Sequence, residues 1–542
     1  MTTPTTTDTD PLERFRKFET LSPFELKDDL IKIAKDPASA HAFLDAGRGN
    51  PNWIATTPRE AYWLFGRFGI EESKRVWDLP DLGGMPKRDG IGARFDAFIA
   101  KHADEPGAAM LKGGIEYGVK QLKFDKDAWV HELADCIIGD MYPVPMRMGR
   151  HMEQVARAYL VREMCGDAPP PGVYDIFAVE GGTAAMCYIF DSLQQNGLLK
   201  RGDRIALAVP TFTPYIEMAH LDRYAFDVVE IDASSTYENG MHSWQYPDSE
   251  IDKLADPKIK AFFVVNPSNP PSYGMQRSSM ERIANLVRTK RKDLIIITDD
   301  VYGTFVPGFE SLMKHAPRNT ITVYSYSKYF GCTGWRLGVV ALHQDNVIDE
   351  MLANLPENEK AQLRKRYSPL TLTPDKIKFI DRMVADSRQI ALNHTAGLSM
   401  PQQVMMTFFA LFDLLDTKHA YRDLTRKICN DRLALLWKGV GETLPIDTNR
   451  AGYYSTLDLM KWAELKYGKG FMEYLVKNYH PLQIVFALAT YHSIVLMNGN
   501  GFAAPDWSVR VSLANLPESA YEEIGADLAN VAQTALERWK KG

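Results

Sequence analysis

A lysine among small hydroxyl residues is the side chain of this sequence best suited to covalent chemistry. Lys328 follows a β-prone run at residues 320–324, and Arg336 stands eight positions later, before a second strand-like run at residues 337–342. Apolar surroundings at a strand end favour the neutral lysine amine, which can form an imine with an aldehyde or ketone. A surface lysine in a β-turn would show the same local pattern, so other segments must decide between the two interpretations.

Two further segments could hold an anion and a flat ring. Two glycines and a threonine open a helix directly after a strand-like run, at Gly181, Gly182 and Thr183. Free backbone N–H groups at a helix N-terminus favour an anion. In residues 210–215, prolines would hold Phe212 or Tyr215 as a rigid platform for a ring. An ordinary Gly-Gly turn and a core aromatic residue are the structural alternatives.

Polar side chains that could contact the same ring follow two other runs. Residues 266–274 contain two Asn-Pro pairs, which stiffen the loop and direct Asn269, although structural turn asparagines would look similar. Asp299 ends a buried run, where a carboxylate needs a cation or a donor such as a protonated ring nitrogen. Tyr302 could reach the same ligand, whereas Asp300 is expected to cap the next segment.

Seven short β-branched runs alternate with amphipathic helices in the middle of the chain. The runs cover residues 173–179, 204–209, 226–231, 261–265, 294–298, 320–325 and 337–342. Most lack the alternation of a half-solvated strand, which predicts an α/β fold with a buried, mostly parallel seven-stranded sheet. Ligands bind at the carboxyl ends of such strands, so the polar segments should meet there. Ser278 and Glu281 predict a capping box at the start of one helix.

Composition indicates an ordinary soluble enzyme. Lys+Arg 63 against Asp+Glu 69 gives a net charge of -6 over 542 residues, so nothing supports a nucleic-acid partner. The five cysteines lack metal-ligand spacing, which indicates reduced thiols in the cytoplasm and no zinc site. The first ten residues lack signal-peptide features, and polar residues interrupt the longest apolar stretch, 482–497, so we expect no membrane segment.

Together these segments supply what pyridoxal phosphate (PLP) requires: an anion cradle, a ring platform, polar ring partners and an imine-forming lysine. The sequence resembles the fold type I, class I and II aminotransferase family over residues 140–542. The motifs that carry the resemblance are Asn-Pro-Ser-Asn-Pro at 266–270, Asp-Asp-Val-Tyr at 299–302, and Ser-Tyr-Ser-Lys to Gly-Trp-Arg-Leu-Gly at 325–338.

The resemblance implies three parts of the chain. Residues 146–400 would form the large PLP-binding domain, and residues 401–542 a smaller α+β domain. Residues 1–145 would form an N-terminal arm with a helical insertion that contributes partly to the small domain.

The resemblance also implies a role for each candidate site residue. Lys328 would be the catalytic Schiff-base lysine and would move the substrate's α-proton. Asp299 would keep the pyridine nitrogen protonated, Phe212 would stack on the ring, and Asn269 and Tyr302 would bond the ring's 3-oxygen. The phosphate would be held by Gly181, Gly182, Thr183, Ser325 and Arg336, with Tyr142 reaching over from a dimer partner.

The length of the chain points to a particular group within this family. The excess over plain family members lies in three blocks, around residues 59–140, 350–400 and 465–490. With residues 47–53 and 392–399, these blocks resemble the aspartate 4-decarboxylases, which also carry aspartate aminotransferase activity. The implied reaction is β-decarboxylation of L-aspartate to L-alanine and CO₂, with transamination to 2-oxo acids as a side activity. The resemblance also implies a homodimer that assembles into a larger homo-oligomer, for example a dodecamer.

Substrate contacts are expected at both carboxylates. Arg510, in a strand motif at residues 508–514, would clamp the α-carboxylate in a bidentate pair. No clear counterpart of the transaminases' distal arginine is found, since the surroundings of Arg388 do not match. Arg48 and Thr395 are therefore the candidates at the side-chain carboxylate. An aminotransferase or related lyase without decarboxylation is one alternative, and a catalytically dead scaffold, which would be expected to lose Lys328, is another.

Overall fold

The computed structural model describes residues 13–35, 41–143, 147–390 and 397–541. Its strands, in chain order, are β1 Leu44–Asp45, β2 Tyr174–Val179, β3 Arg204–Val209, β4 Asp227–Asp232, β5 Ile259–Val265, β6 Ile295–Asp299, β7 Thr320–Ser325, β8 Gly338–His343, β9 Tyr454–Asp458, β10 Ile494–Val495, β11 Met497–Asn498 and β12 Ser508–Ser512. The seven strands from β2 to β8 match the predicted runs to within two residues at either end.

Those seven strands form one sheet with the order β2-β8-β7-β6-β5-β3-β4. β8 runs antiparallel to both of its neighbours, and every other pairing in the sheet is parallel. Successive side chains of β5 alternate between two apolar clusters, with Phe263 and Val265 in one and Phe262 and Val264 in the other. The sheet is therefore covered on both faces, and the prediction of a buried, mostly parallel sheet is confirmed.

Helices cover both faces of this sheet and form the other layers of the molecule. They span Glu13–Arg16, Pro23–Ala34, Thr57–Val76, Ile91–Lys101, Ala108–Lys120, Lys126–Ile138, Arg150–Cys165, Gly182–Gln195, Thr213–His220, Asp248–Asp252, Arg277–Thr289, Leu312–His315, Val347–Ala353, Glu357–Tyr367, Phe379–Ile390, Met400–Leu415, Ala420–Val440, Leu459–Tyr467, Lys469–Asn478, Gln483–His492 and Ser519–Lys540. Over the described ranges, no helix combines the length and apolar character needed to cross a membrane.

The predicted capping box is wrong. Helix Arg277–Thr289 starts earlier than expected, with Gln276 at the N-cap and no side-chain capping bond. Ser278 therefore lies inside the first turn, and Glu281 pairs instead with Arg277 at 2.8 Å.

The smaller part of the molecule is built around two short sheets. β9, β12 and β11 form an antiparallel sheet with β12 in the centre, and β1 pairs with β10 in parallel. The N-terminal helix Pro23–Ala34 packs on Gln483–His492. The start of the chain thus packs against its C-terminal third.

The extra helices between residues 57 and 138 share an apolar core with the large domain. Phe65, Phe68 and Trp129 are fully buried in this core. Helix Met400–Leu415 packs against these inserted helices and against Arg150–Cys165. The domain limits at 145/146 and 400/401 stay a prediction.

Candidate active site

A cavity of about 320 Å³ lies at the carboxyl ends of β5, β6 and β7, and β9 and β12 form its opposite wall. Ten of the predicted site residues line it, namely Gly182, Thr183, Phe212, Asn269, Asp299, Tyr302, Ser325, Lys328, Arg336 and Arg510. Except for Arg510, which belongs to β12 in the smaller sheet, they stand at or beside strand ends of the seven-stranded sheet, which is where a parallel sheet assembles a binding site.

Lys328 lies in the turn that follows β7 and is half-buried. The flanking side chains Tyr326, Tyr329 and Phe330 are fully buried and fix the turn. The Nζ atom of Lys328 reaches the cavity, where it donates a hydrogen bond of 2.9 Å to the carbonyl oxygen of Gly49. Lys328 is thus not a solvent-exposed turn lysine, because its amine faces an enclosed site.

Asp299 is the last residue of β6 and is buried beside the cavity. Its carboxylate accepts hydrogen bonds from the Tyr215 hydroxyl at 2.6 Å and from the Val301 N–H at 3.2 Å. Burial raises the pKa of Asp299 to about 6, and those two hydrogen bonds and the charge of Lys328 partly oppose the shift. A cationic ring nitrogen opposite Asp299 would favour its ionised form.

The second aspartate of the pair has a different role from the one expected. Asp300 is fully buried, and its side chain accepts hydrogen bonds from the hydroxyl groups of Thr298 and Ser311. Its side chain therefore joins the end of β6 to the start of helix Leu312–His315, and the prediction that it caps the next segment is wrong.

Tyr215 also differs from one of its expected roles. Its hydroxyl is committed to Asp299, and its ring meets the Phe212 ring edge-on, with ring centres 5.3 Å apart. Phe212 itself is half-buried and lines the cavity. Of the two candidate ring platforms, the geometry favours Phe212.

The loop after β5 and the turn after β6 present two polar groups to the cavity. The Asn269 side-chain oxygen accepts a hydrogen bond of 3.2 Å from Arg510 Nη1. The Tyr302 hydroxyl donates to the Tyr454 hydroxyl at 3.1 Å, and burial raises the pKa of Tyr302 well above its ordinary value. Tyr302 therefore remains a neutral hydrogen-bond donor at physiological pH.

The predicted anion cradle has the geometry that an anion needs. Gly181 adopts a φ of +90°, and a Cβ at this position would lie 2.4 Å from Arg336 Nη2. Only glycine allows this approach of the guanidinium to the N-terminus of helix Gly182–Gln195, which has no side-chain cap. Arg336 donates to the backbone oxygens of Thr333 at 3.0 Å and Glu180 at 3.4 Å. The cradle therefore offers a cation and free N–H groups to a phosphate.

Arg510 is the most buried cation of the site, with 2 % of its surface exposed. It donates to Asn269 and, at 2.8 Å, to the carbonyl oxygen of Gly47, and its guanidinium lies 4.4 Å from the centre of the Tyr454 ring. Its Nε has no hydrogen-bond partner in the described part of the chain. A buried guanidinium with an unused donor fits a carboxylate ligand.

Three other predicted residues either do not line the cavity or lie outside the described residues. Arg48 is exposed, but the backbone on either side of it contacts the site through the carbonyl oxygens of Gly47 and Gly49. Tyr142 is 70 % exposed and does not line the cavity of its own chain. Thr395 lies outside the described residues.

Sequence reasoning missed several residues that line the cavity. They are Phe24, Asn50, Ser327, Thr333 and Tyr454. Phe24 comes from helix Pro23–Ala34 and Tyr454 from β9, and neither belongs to a recognised motif. Neither carries a local pattern that could have identified it, whereas Ser327 and Thr333 belong to the motif around Lys328.

These residues fit PLP. The glycine cradle suits its phosphate, the buried Asp299 suits a protonated ring nitrogen, and the enclosed Lys328 amine suits its aldehyde. The described site therefore carries a donor set that matches the cofactor group by group.

Comparisons with known proteins identify the family. Residues 179–526 match the family model for class I and II aminotransferases. The chain is 48% identical over 528 residues to a bifunctional aspartate aminotransferase and L-aspartate beta-decarboxylase of Pseudomonas sp, covering 97% of this chain and 98% of that protein. It is 30% identical over 153 residues to an aspartate aminotransferase of Pyrococcus abyssi, which is 27% of this chain and 36% of that protein.

The fold is likewise similar to that of solved aminotransferases. A double mutant of the Thermus thermophilus aspartate aminotransferase superposes with a TM-score of 0.56 at 16% identity, covering 96% of this chain and 98% of that one. Fold, site and family match lead to the same assignment: the chain belongs to the class I and II aminotransferase family.

Proposed function

We propose that this protein is a PLP-dependent aspartate 4-decarboxylase, which converts L-aspartate to L-alanine and CO₂ and also transaminates aspartate. The observation that carries the proposal is the 48% identity, over 97% of the chain, to a protein that has both activities. The match covers 528 residues and so extends into the three blocks that the sequence analysis singled out as extra length. The cavity supports it with Lys328, Asp299 and Arg510 in one site.

Each residue of the cavity has a distinct task in this reaction. Bound PLP would supply an aldehyde for the substrate amine and a ring that accepts electrons from the bond that breaks. Lys328 Nζ would hold the cofactor and then move the proton of the substrate Cα. Asp299 would pair with the ring nitrogen, and Asn269 and Tyr302 with the ring oxygen.

The remaining residues fix position. Gly181, Gly182, Thr183, Ser325 and Arg336 would hold the phosphate, and Phe212 would pack on the ring. Arg510 would bind the α-carboxylate, which orients the Cα proton towards Lys328.

The fate of the side-chain carboxylate decides between the two activities. In decarboxylation the bond from Cβ to the carboxylate carbon breaks, CO₂ leaves, and a proton takes its place at Cβ. A tight arginine fork on this carboxylate would stabilise the charged ground state and oppose its loss. Arg48 and Thr395 are the proposed contacts, and the backbone beside Arg48 already reaches Lys328 and Arg510. An Arg48→Ala enzyme with an unchanged ratio of CO₂ to oxaloacetate would exclude Arg48 from this role.

We also propose a cytoplasmic homodimer, assembled into a larger homo-oligomer such as a dodecamer. The exposed Tyr142 ring is available for the phosphate of a partner's site, the role that the family resemblance gives it. The five cysteines, all free thiols, are compatible with a reducing compartment.

Incubation of the PLP-loaded protein with L-aspartate, without a 2-oxo acid, tests the function. A decarboxylase releases alanine and CO₂ through many turnovers. An aminotransferase without decarboxylation stops after one half-reaction per site, because no acceptor returns the amino group. The second outcome would leave transamination as the function of the same residues.

A further inference from the structure

A second cavity, of about 260 Å³, lies on the other side of the strand that carries Tyr454. It is bounded by β9 and by two segments that lead towards the large domain, around His242 and Tyr273. Tyr454 lines both this cavity and the active site. None of the tasks described above uses this second cavity.

One wall of the cavity is the free edge of a strand. β9 lies at the edge of its sheet, paired only with β12 among the described strands. Leu513 N donates to Tyr453 O, and Leu459 N donates to Trp507 O, so the odd-numbered residues of β9 exchange hydrogen bonds with the β12 side. The alternation of an antiparallel pair then turns the N–H and C=O groups of Thr456 away from β12, towards the cavity that it lines. An edge residue of this kind offers a donor and an acceptor side by side.

The other walls are aromatic. Trp244, Trp437, Trp462 and Tyr273 all line the cavity. The Trp437 indole N–H is already bonded to Ser455 Oγ at 3.0 Å, so this ring offers apolar surface. Flat apolar walls favour a planar ligand body.

Most of the charged side chains around the cavity are paired with an opposite charge. His242 lies 2.9 Å from Asp458, Lys466 lies 3.0 Å from Glu442, and Lys461 lies 3.1 Å from Glu464. Arg450 donates to the Tyr273 hydroxyl at 2.7 Å and to the Pro445 carbonyl oxygen at 2.8 Å. An anion at Arg450 would have to compete with these two hydrogen bonds, and the other charges are neutralised by their partners, so the lining favours an uncharged ligand.

We propose that this cavity is a second small-molecule site, which binds an uncharged planar molecule carrying a primary amide. The amide carbonyl accepts a hydrogen bond from the Thr456 N–H, and the amide N–H donates to the Thr456 carbonyl oxygen. The ring of the ligand packs between the tryptophan side chains. The site is separate from the clamp at Arg510, which requires a carboxylate.

Calorimetric titration of the PLP-loaded protein with benzamide tests the proposal. Acetophenone is the matched control, because it has the same ring and carbonyl group but no N–H. We expect one benzamide per chain, with acetophenone binding about fivefold to tenfold more weakly, the effect of one lost hydrogen bond. Absence of benzamide binding at millimolar concentration, or equal binding of the two probes, would overturn the proposal.

A variant that fills the cavity shows where the probe binds. Ala529 lines the cavity from helix Ser519–Lys540, whereas Glu523 is exposed on the same helix. Ala529→Phe should weaken benzamide binding more than about tenfold, since the new ring occupies the space of the ligand. Glu523→Phe adds the same ring on the surface and should leave binding unchanged. Equal affinity in Ala529→Phe and wild type would overturn the site, and Ala529→Leu replaces the larger variant if circular dichroism shows that it fails to fold.

Discussion

The titration of Asp299 makes the stability of the cofactor-free protein depend on pH. In the folded chain without cofactor, burial raises its pKa to about 6, whereas an unfolded aspartate ionises near its ordinary value of about 3.9. The unfolded state therefore loses its proton first as the pH rises, so the folded state loses stability between about pH 4 and pH 6. Two units of raised pKa correspond to about 3 kcal/mol.

This shift predicts a pH-dependent difference between two proteins. Asp299→Asn removes the titrating group, so the cofactor-free variant should gain up to about 3 kcal/mol over cofactor-free wild type on going from pH 4 to pH 7. Urea unfolding of both proteins at the two pH values measures the gain. A difference between wild type and variant that does not change with pH would contradict the buried environment described for Asp299.

Arg510 makes a prediction about substrate affinity. Arg510→Lys keeps the positive charge but loses the planar fork that pairs with a carboxylate, so the KM for aspartate should rise about 10- to 100-fold. Steady-state kinetics with aspartate, together with the inhibition constant of maleate, measure the effect. Equal KM values in variant and wild type would place the α-carboxylate elsewhere.

Sequence reasoning could find the site residues that stand in short local motifs. Lys328, Asp299 and Asn269 stand in short motifs directly after strands, so residue type and spacing were sufficient to select them. Tyr215 was selected for the wrong reason, because its hydroxyl bond to Asp299 depends on how two loops pack. Tyr454 could not be selected, since only the pairing of β9 with β12 brings it beside Arg510.

At the scale of the elements, the turn after Lys328 and the segment at residues 47–53 depend on each other. Gly331 has a φ of +59°, and a Cβ there would lie 1.9 Å from the backbone oxygen of Trp53. The same segment supplies the Gly49 oxygen that contacts Lys328. Displacement of residues 47–53 would therefore change the position of the Lys328 amine.

Gly331→Ala should destabilise the protein and weaken PLP binding, because the methyl group forces the two segments apart. Gly308→Ala is the matched control: its φ of +64° carries the same backbone cost, about 1–2 kcal/mol, but no atom lies within 4 Å of the new Cβ. Thermal unfolding and titration with PLP separate the two effects. Weakened PLP binding in both variants, or in neither, would contradict this coupling.

The strands of the main sheet were predictable because their apolar runs are continuous and short. The helix limits were less predictable: the capping pattern at Ser278 and Glu281 competed with a start at Arg277, where an ion pair stabilises the first turn. Local pattern specifies the kind of element more strongly than its first residue.

At the scale of the whole molecule, a buried charged cluster joins three helices to the turn that carries Lys328. Tyr329, next to Lys328, donates a hydrogen bond of 2.7 Å to Asp413 in helix Met400–Leu415. Asp413 also pairs with Arg162 and Arg422, which come from helices Arg150–Cys165 and Ala420–Val440. Three helices thus meet at the Asp413 carboxylate, which accepts a hydrogen bond from the residue after Lys328. These residues are far apart in the chain, so the spacing of residue types in the sequence does not predict their contact.

The central claim is that one site, built on Lys328, removes the β-carboxylate of aspartate. Its most direct test is NMR of the PLP-loaded enzyme with aspartate labelled with ¹³C at C4, in the absence of any 2-oxo acid. We predict labelled CO₂ in the carbon spectrum and an equal amount of unlabelled alanine in the proton spectrum, both far in excess of the number of sites, and neither product with Lys328→Ala. Label that stays in aspartate or oxaloacetate, or labelled CO₂ released equally by Lys328→Ala, would contradict the account.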